Sequence, residues 1–230
     1  MLEMMATRHR LGLRALTAAL LLAGCGGQAS GATGASPHPS PTASVSSASL
    51  LAYTARGSDL GAGWTETPTP NGASLAIDNG SHPCKKPYPS DSQRLARNGV
   101  TILNSSGDPS QVASEVAFYK DGGGDAALTD IRAVLDSCSS YTQVNTEGAT
   151  IAIEIHKLPS GSITVGDDRI IFDRRATLGG RSIYSVVFVL RVREYVATIF
   201  TVSGDPAKAG KLAGIAAGAS ADRLESAPAS

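Results

Sequence analysis

At 230 residues and 23.5 kDa the chain is long enough for one ordinary domain or two small ones. Its 20 Lys and Arg balance 20 Asp and Glu, which excludes a protein whose main work is coating a nucleic acid, since such binding needs a basic surface. Hydrophobic residues at 42% exclude disorder throughout, while 17% charged residues with 25 Gly and 12 Pro call for a linker somewhere along the chain.

Residues 1–24 read as a targeting segment. Arg8, His9, Arg10 and Arg14 make a basic start, and residues 15–23 (ALTAALLLA) are an apolar run. That run is too short to span a bilayer, which takes about 20 apolar residues. Leu22-Ala23-Gly24-Cys25 follows, and the whole order of features resembles a bacterial lipoprotein signal. The resemblance implies cleavage after Gly24 and lipid attachment at Cys25, palmitate among the acyl chains; the alternative is a plain secretory signal with an incidental cysteine. Two or more acyl chains anchor a protein stably, so the expected address is the extracytoplasmic face of the cell membrane. Removing three arginines and one glutamate from the totals of 20 and 20 leaves 17 basic against 19 acidic groups. A weakly acidic body has no electrostatic reason to lie on an anionic bilayer, and the lipid would do the holding.

Residues 25–47 carry almost no large apolar side chain and are expected to form a flexible tether. About twenty such residues reach roughly 25 Å. The folded domain is expected over 48–225 and a frayed tail over 226–230. Within the domain Cys84 and Cys138 are an even pair in an exported chain, and a disulfide is the default reading, with two buried free thiols as the alternative.

In chain order, a short helix is expected over 48–56 with Leu50 and Leu51 facing in, then a glycine-framed turn around Trp64 and a strand over 74–78. Residues 91–97 suggest a short helix, and 100–103 and 112–119 read as strands. The clearest helix starts after Gly122-Gly123-Gly124, with Asp125 as N-cap. Its Leu128, Ile131, Leu135 and Cys138 form one stripe. Strands follow: Ile151, Ile153 and Ile155 alternate with polar residues, 169–175 alternates as well, and 184–192 makes a long strand with Tyr184, Val186, Phe188, Leu190 and Val192 on one face. Arg193-Glu194 is a polar tip, and 195–202 returns. Asp205 and Pro206 open a closing helix with Leu212, Ile215, Ala219 and Leu224 on its apolar side. Short gaps between strands require antiparallel pairing. The expected fold class is α+β: one domain with an antiparallel β-sheet packed by helices.

The chain carries no G-x-S-x-G, Walker loop, H-E-x-x-H or C-x-x-C. No catalytic residue, metal ligand or cofactor is assigned, and the chain is expected not to be an enzyme. Glu154 and His156 share a strand face and are either a metal or acid–base pair or a solvated polar face. Asp167-Asp168 beside Arg169 either coordinates a cation or makes a turn with a surface ion pair. Arg191 and Arg193 with Arg174 and Arg175 either gather into an anion site or form a charged strand tip that blocks edge pairing.

Four stretches together resemble the PknH-like extracellular sensor domain family of actinobacteria, found outside some mycobacterial Ser/Thr kinases. They are Leu50-Leu51 with the Asp59-Leu60-Gly61 to Trp64 turn, the helix ending Ala133-Val134-Leu135-Asp136-Ser137-Cys138, Val165-Gly166-Asp167-Asp168, and the hairpin over 184–203 with its closing helix. The resemblance implies a mixed α+β domain with a cleft and a sensor or ligand-binding role in the cell envelope. The family's kinase-borne domain is expected to carry two disulfides where this chain has cysteines for one. A protein-docking envelope factor without a small ligand and a lipid carrier are the other readings; a hydrolase has too few histidines to build a site.

Overall fold

The structure, a computed structural model, describes residues 45–75, 82–144, 147–159 and 164–228. The expected signal segment 1–24, Cys25 and most of the expected tether lie outside the described residues, as do 76–78 of the strand expected over 74–78. Ser74 and Leu75 belong to no regular element.

Ordered structure begins inside the last stretch assigned to the tether. Val45 packs on the core, and the Ser46 hydroxyl accepts from the Ser49 amide at 3.2 Å, capping α1 (Ser47–Leu50). A 3-10 turn over Leu51–Tyr53 follows in place of a continuous helix to 56. A second turn, Gly57–Leu60, leads to β1 (Trp64–Pro68). Gly57 is required there, because a Cβ on it would stand 2.8 Å from the Trp64 carbonyl oxygen.

Eight strands form one sheet: β1, β2 (Arg94–Asn104), β3 (Gln111–Tyr119), β4 (Ser140–Val144), β5 (Thr150–Lys157), β6 (Asp168–Leu178), β7 (Arg181–Val192) and β8 (Tyr195–Ser203). The spatial order is β1-β2-β3-β8-β7-β6-β5-β4, and every neighbouring pair is antiparallel. With helices α1, α2 (Gly123–Ser137) and α3 (Pro206–Glu225), the chain is an α+β domain with helices on both faces of an antiparallel sheet.

Each face has its own core. On the first, Phe188 and Leu190 of β7 with Ala197 and Ile199 of β8 meet Leu212, Ala213, Ala216 and Ala217 of α3. The alanines let the helix lie close to the sheet. Ile215, expected on the apolar side, is 39% exposed. The helical period places buried residues at 209, 212–213, 216–217, 220–221 and 224, and 215 falls off that stripe. On the second face, Leu128, Ile131 and Leu135 of α2 cover Val187, Val189 and Val196. Strand β7 is thus buried on both sides, which explains its unbroken apolar run from Val186 to Leu190.

Residues 91–97 do not form a helix. A 3-10 turn covers Pro89–Gln93, and Arg94 already begins β2, paired across to Tyr119. The stretch lacks β-branched residues, but pairing with β3 overrides local propensity. Strands β1 and β4 have no counterpart among the elements the sequence predicts. Asp125 is inside α2 rather than at its N-cap. That position belongs to Gly122, whose φ of 77° is the left-handed conformation, and the cap is supplied from elsewhere. The Glu194 carboxylate, in the β7–β8 turn, accepts from the amides of Gly122 at 3.1 Å and Gly124 at 3.2 Å. The C-terminal tail begins held in place at the same turn: Ala227 is buried, and its carbonyl accepts from Arg193 Nη2 at 2.9 Å.

Candidate functional site

Helix α2 has 15 residues and covers only part of the second sheet face. Beside it lies a cavity of about 530 Å³, within the range of sites that enclose small molecules. Its floor crosses four strands: Ala117 of β3, Thr198 and Phe200 of β8, Val187 of β7 and Phe172 of β6. One wall is Ile131 of α2 with the segment from His82 to Asp91; Arg94 and Arg97 of β2 stand on one flank and Gln143 of β4 on the other.

The disulfide Cys84–Cys138 fixes the wall. It joins the turn Pro83–Lys85 to the residue just past the end of α2, with the Cα atoms 6.4 Å apart. Cys138 sits in extended backbone, one residue beyond the helix whose stripe it was expected to continue. The Lys86 ammonium donates to the Ser137 hydroxyl at 2.8 Å beside it. Within the clamped segment the His82 ring stacks on Tyr88, centroids 3.9 Å apart. Its Nδ1 faces the Lys86 carbonyl at 3.1 Å and its Nε2 faces Asp91 at 3.6 Å. Nδ1 is thus within hydrogen-bond distance of its oxygen, while Nε2 stands beyond that distance from Asp91.

Charge is concentrated around the apolar floor. Asp91, 2% exposed, pairs with Arg94 at 3.3 Å, and Glu115 pairs with Arg97 at 2.8 Å. About a third of the Glu115 side chain is open, but it opens onto the cavity rather than bulk water. Burial raises its pKa in spite of Arg97 and Arg94. Burial likewise pushes the Tyr119 phenol up to about 12 and raises Tyr88, where the Asp91 charge adds to the effect. The remaining cation is Arg174 on β6. Its Nη2 donates to the Tyr141 hydroxyl at 2.6 Å, and its guanidinium lies over the rings of Phe200 and Tyr141, 5.5 Å and 5.9 Å from their centroids.

The other residues singled out from the sequence lie elsewhere. His156 pairs with Asp173 at 2.9 Å and Glu154 stands 4.0 Å from Arg175, all on the opposite sheet face and solvated. Asp168 binds Arg132 at 2.6 Å; burial opposes its ionisation, but that hydrogen bond and the Arg169 amide outweigh it and lower its pKa. Asp167 accepts from the Arg193 amide at 2.7 Å. Both aspartates are taken by arginine groups, and among the described residues no group of three or more His, Cys, Asp or Glu is placed to hold a metal ion. The four arginines do not gather. Arg191 binds Asp125 and Asp167, Arg193 reaches α3, Arg175 is on the first face, and Arg174 alone lines the cavity. Nor is Arg193 at a sheet edge, since β7 and β8 are central strands. The cavity arginines Arg94 and Arg97 carried no sequence signal, because their stretch read as helix. Among the described residues no helix is long and apolar enough to cross a membrane.

No family model matches the chain, and no curated protein does. Among solved structures it is similar to the extracellular domain of PknH from Mycobacterium tuberculosis, at 14% identity and a TM-score of 0.45, covering 71% of this chain and 79% of that one. At that level the likeness carries no functional assignment.

Proposed function

We propose that the chain is an extracytoplasmic binding or sensor module, held at the cell membrane by lipid on Cys25, whose ligand occupies the cavity on the second sheet face, and that it acts without catalysis. The observation that carries this reading is the cavity itself, about 530 Å³ of space over an apolar floor, ringed by a few charged groups. Binding fits it better than catalysis: His82, the one imidazole in its described lining, is stacked on Tyr88 and held through Nδ1 at the Lys86 carbonyl. The basic start, apolar run and Leu22-Ala23-Gly24-Cys25 supply the anchor, and the Cys84–Cys138 pair suits an oxidising compartment.

Native mass spectrometry of protein purified from membranes tests the cavity. Thr198 is half-buried at the middle of the floor, and Thr198→Trp fills that space. The unaltered protein should carry a non-covalent adduct of small-molecule mass, and a folded T198W should lack it. Adduct-free spectra for both, or a protein partner retained equally by both, would count against a ligand in the cavity. Fractionation of Cys25→Ser tests the anchor: the variant should move to the soluble fraction, and persistent membrane association would exclude the lipid.

A further inference from the structure

The walls of the cavity do not balance in charge. Among the described residues, three arginines line it against two carboxylates. Two of those arginines are spoken for: Arg94 by Asp91 and Arg97 by Glu115. The third, Arg174, has among the described residues no carboxylate within ion-pair distance, and its hydrogen bond there goes to the neutral Tyr141 hydroxyl; a buried Nε without an acceptor it shares with Arg94 and Arg97. A half-buried cation without a counter-charge is costly to keep away from water, and stacking on Phe200 and Tyr141 offsets only part of that. An anion arriving in the cavity would supply the missing charge through a charge-assisted contact to the guanidinium. Beside Arg174 the floor is apolar, with Phe172, Val187, Val196 and Phe200. The site therefore offers one cationic point at the margin of a greasy surface.

Resting on the reading of the cavity as a binding site, we infer that its ligand is an amphiphilic anion: an acidic group, carboxylate or phosphate, set against Arg174 and an apolar body laid along the floor of β6, β7 and β8. Neither part suffices alone. An inorganic anion would leave the apolar floor wet, and a neutral hydrocarbon would leave Arg174 without its counter-charge.

The probes are dansyl-aminoundecanoic acid and its primary amide, which share an apolar body and differ in the head. Fluorescence titration should show the acid binding the unaltered protein about tenfold or more tightly than the amide. Arg174→Gln should weaken the acid by a similar factor and leave the amide unchanged, while Arg174→Lys should retain part of the preference. Dodecyl phosphate should displace the acid, and inorganic phosphate at the same concentration should not. A preference for dodecyl phosphate over dodecanoate as competitor assigns a phosphate head, the reverse a carboxylate. Equal affinity for acid and amide, or an equal loss of both in R174Q, would overturn the anionic head while leaving the cavity a binding site. Binding of neither probe to the unaltered protein would overturn the amphiphile.

Discussion

Arg193 and Glu194, neighbours in the two-residue turn between β7 and β8, cap two helices on opposite faces of the sheet. Glu194 accepts from the Gly122 and Gly124 amides at the start of α2. Arg193 donates through Nη2 to the Leu224 and Ala227 carbonyls at the end of α3, at 2.7 and 2.9 Å. Each charge matches the pole it meets: an acid at a helix N-terminus, a base at a C-terminus. The turn that closes the two central strands thereby fixes where both helices sit, and with α2 the wall of the cavity.

This arrangement predicts that Glu194→Ala and Arg193→Ala each destabilise the fold by about 0.5–2 kcal/mol, from the loss of a cap and of its charge. Alanine is the informative replacement at 193, where φ is 54°. It meets the same left-handed backbone as arginine, so the difference reports the cap alone. Because the two side chains act on different faces, their effects should add within about 0.5 kcal/mol. Urea midpoints of the single and double variants measure this. A double variant no less stable than either single one would refute the independent caps.

The sequence makes some of this structure legible and hides the rest for physical reasons. Strand β5 shows in the pattern because its isoleucines alternate with polar residues, β7 because it is a long apolar run, and helix α3 because its apolar residues recur at the helical period. Strands β1 and β4 lie at the two edges of the sheet and are largely exposed, so no apolar alternation marks them. The start of β2 is disguised by helix-compatible residues, with a bulge between Arg94 and Ala96. The cavity is invisible for a different reason. It is made of space that α2 does not fill, and its charged residues, Asp91, Arg94, Arg97, Glu115 and Arg174, come together only through strand order. His156 and Arg191, more conspicuous in the sequence, are bonded to carboxylates outside it.

Two carboxylates set opposite pH dependences. Burial disfavours ionisation of Asp59, but Arg223, bound to it through two contacts of 2.7 and 2.8 Å, and the Arg56 amide outweigh burial and lower its pKa below 3.8. The unfolded chain then takes up that proton first, so the stabilisation is fully present above pH 3.8 and is lost as pH falls through the folded value. Glu115 is the reverse. Its raised folded pKa favours the native state below the ordinary value of 4.5 and withdraws that contribution as pH rises through the folded value. Stability measured by urea midpoint should therefore fall less steeply on acidification in Asp59→Asn than in the unaltered protein, and Glu115→Gln should remove a decline on the neutral side of pH 4.5. Unchanged pH profiles in both variants would show that neither carboxylate is linked to folding.

The last prediction concerns the disulfide, which spans 54 residues of sequence but joins only a short turn to the end of one helix. In the chain-entropy account a loop of that length adds about 4 kcal/mol by restricting the unfolded chain. For a domain of this size that corresponds to a fall in Tm on the order of 10 °C when the bond is removed. The native consequence is local. Neither cysteine lies in the sheet, so Cys84→Ser with Cys138→Ser should keep the β-sheet circular dichroism while freeing the segment that carries His82, Pro83 and Tyr88 along the cavity wall. Hydrogen exchange should then rise across 82–93 and at the end of α2, and remain low in β7 and β8. Thermal melts with and without reductant provide the matching measurement on the unaltered protein. A Tm that does not move on reduction, with exchange unchanged in 82–93, would mean that the wall is held by its hydrogen bonds, such as Ser90 amide to Asp130 at 2.8 Å, and not by the sulfur link.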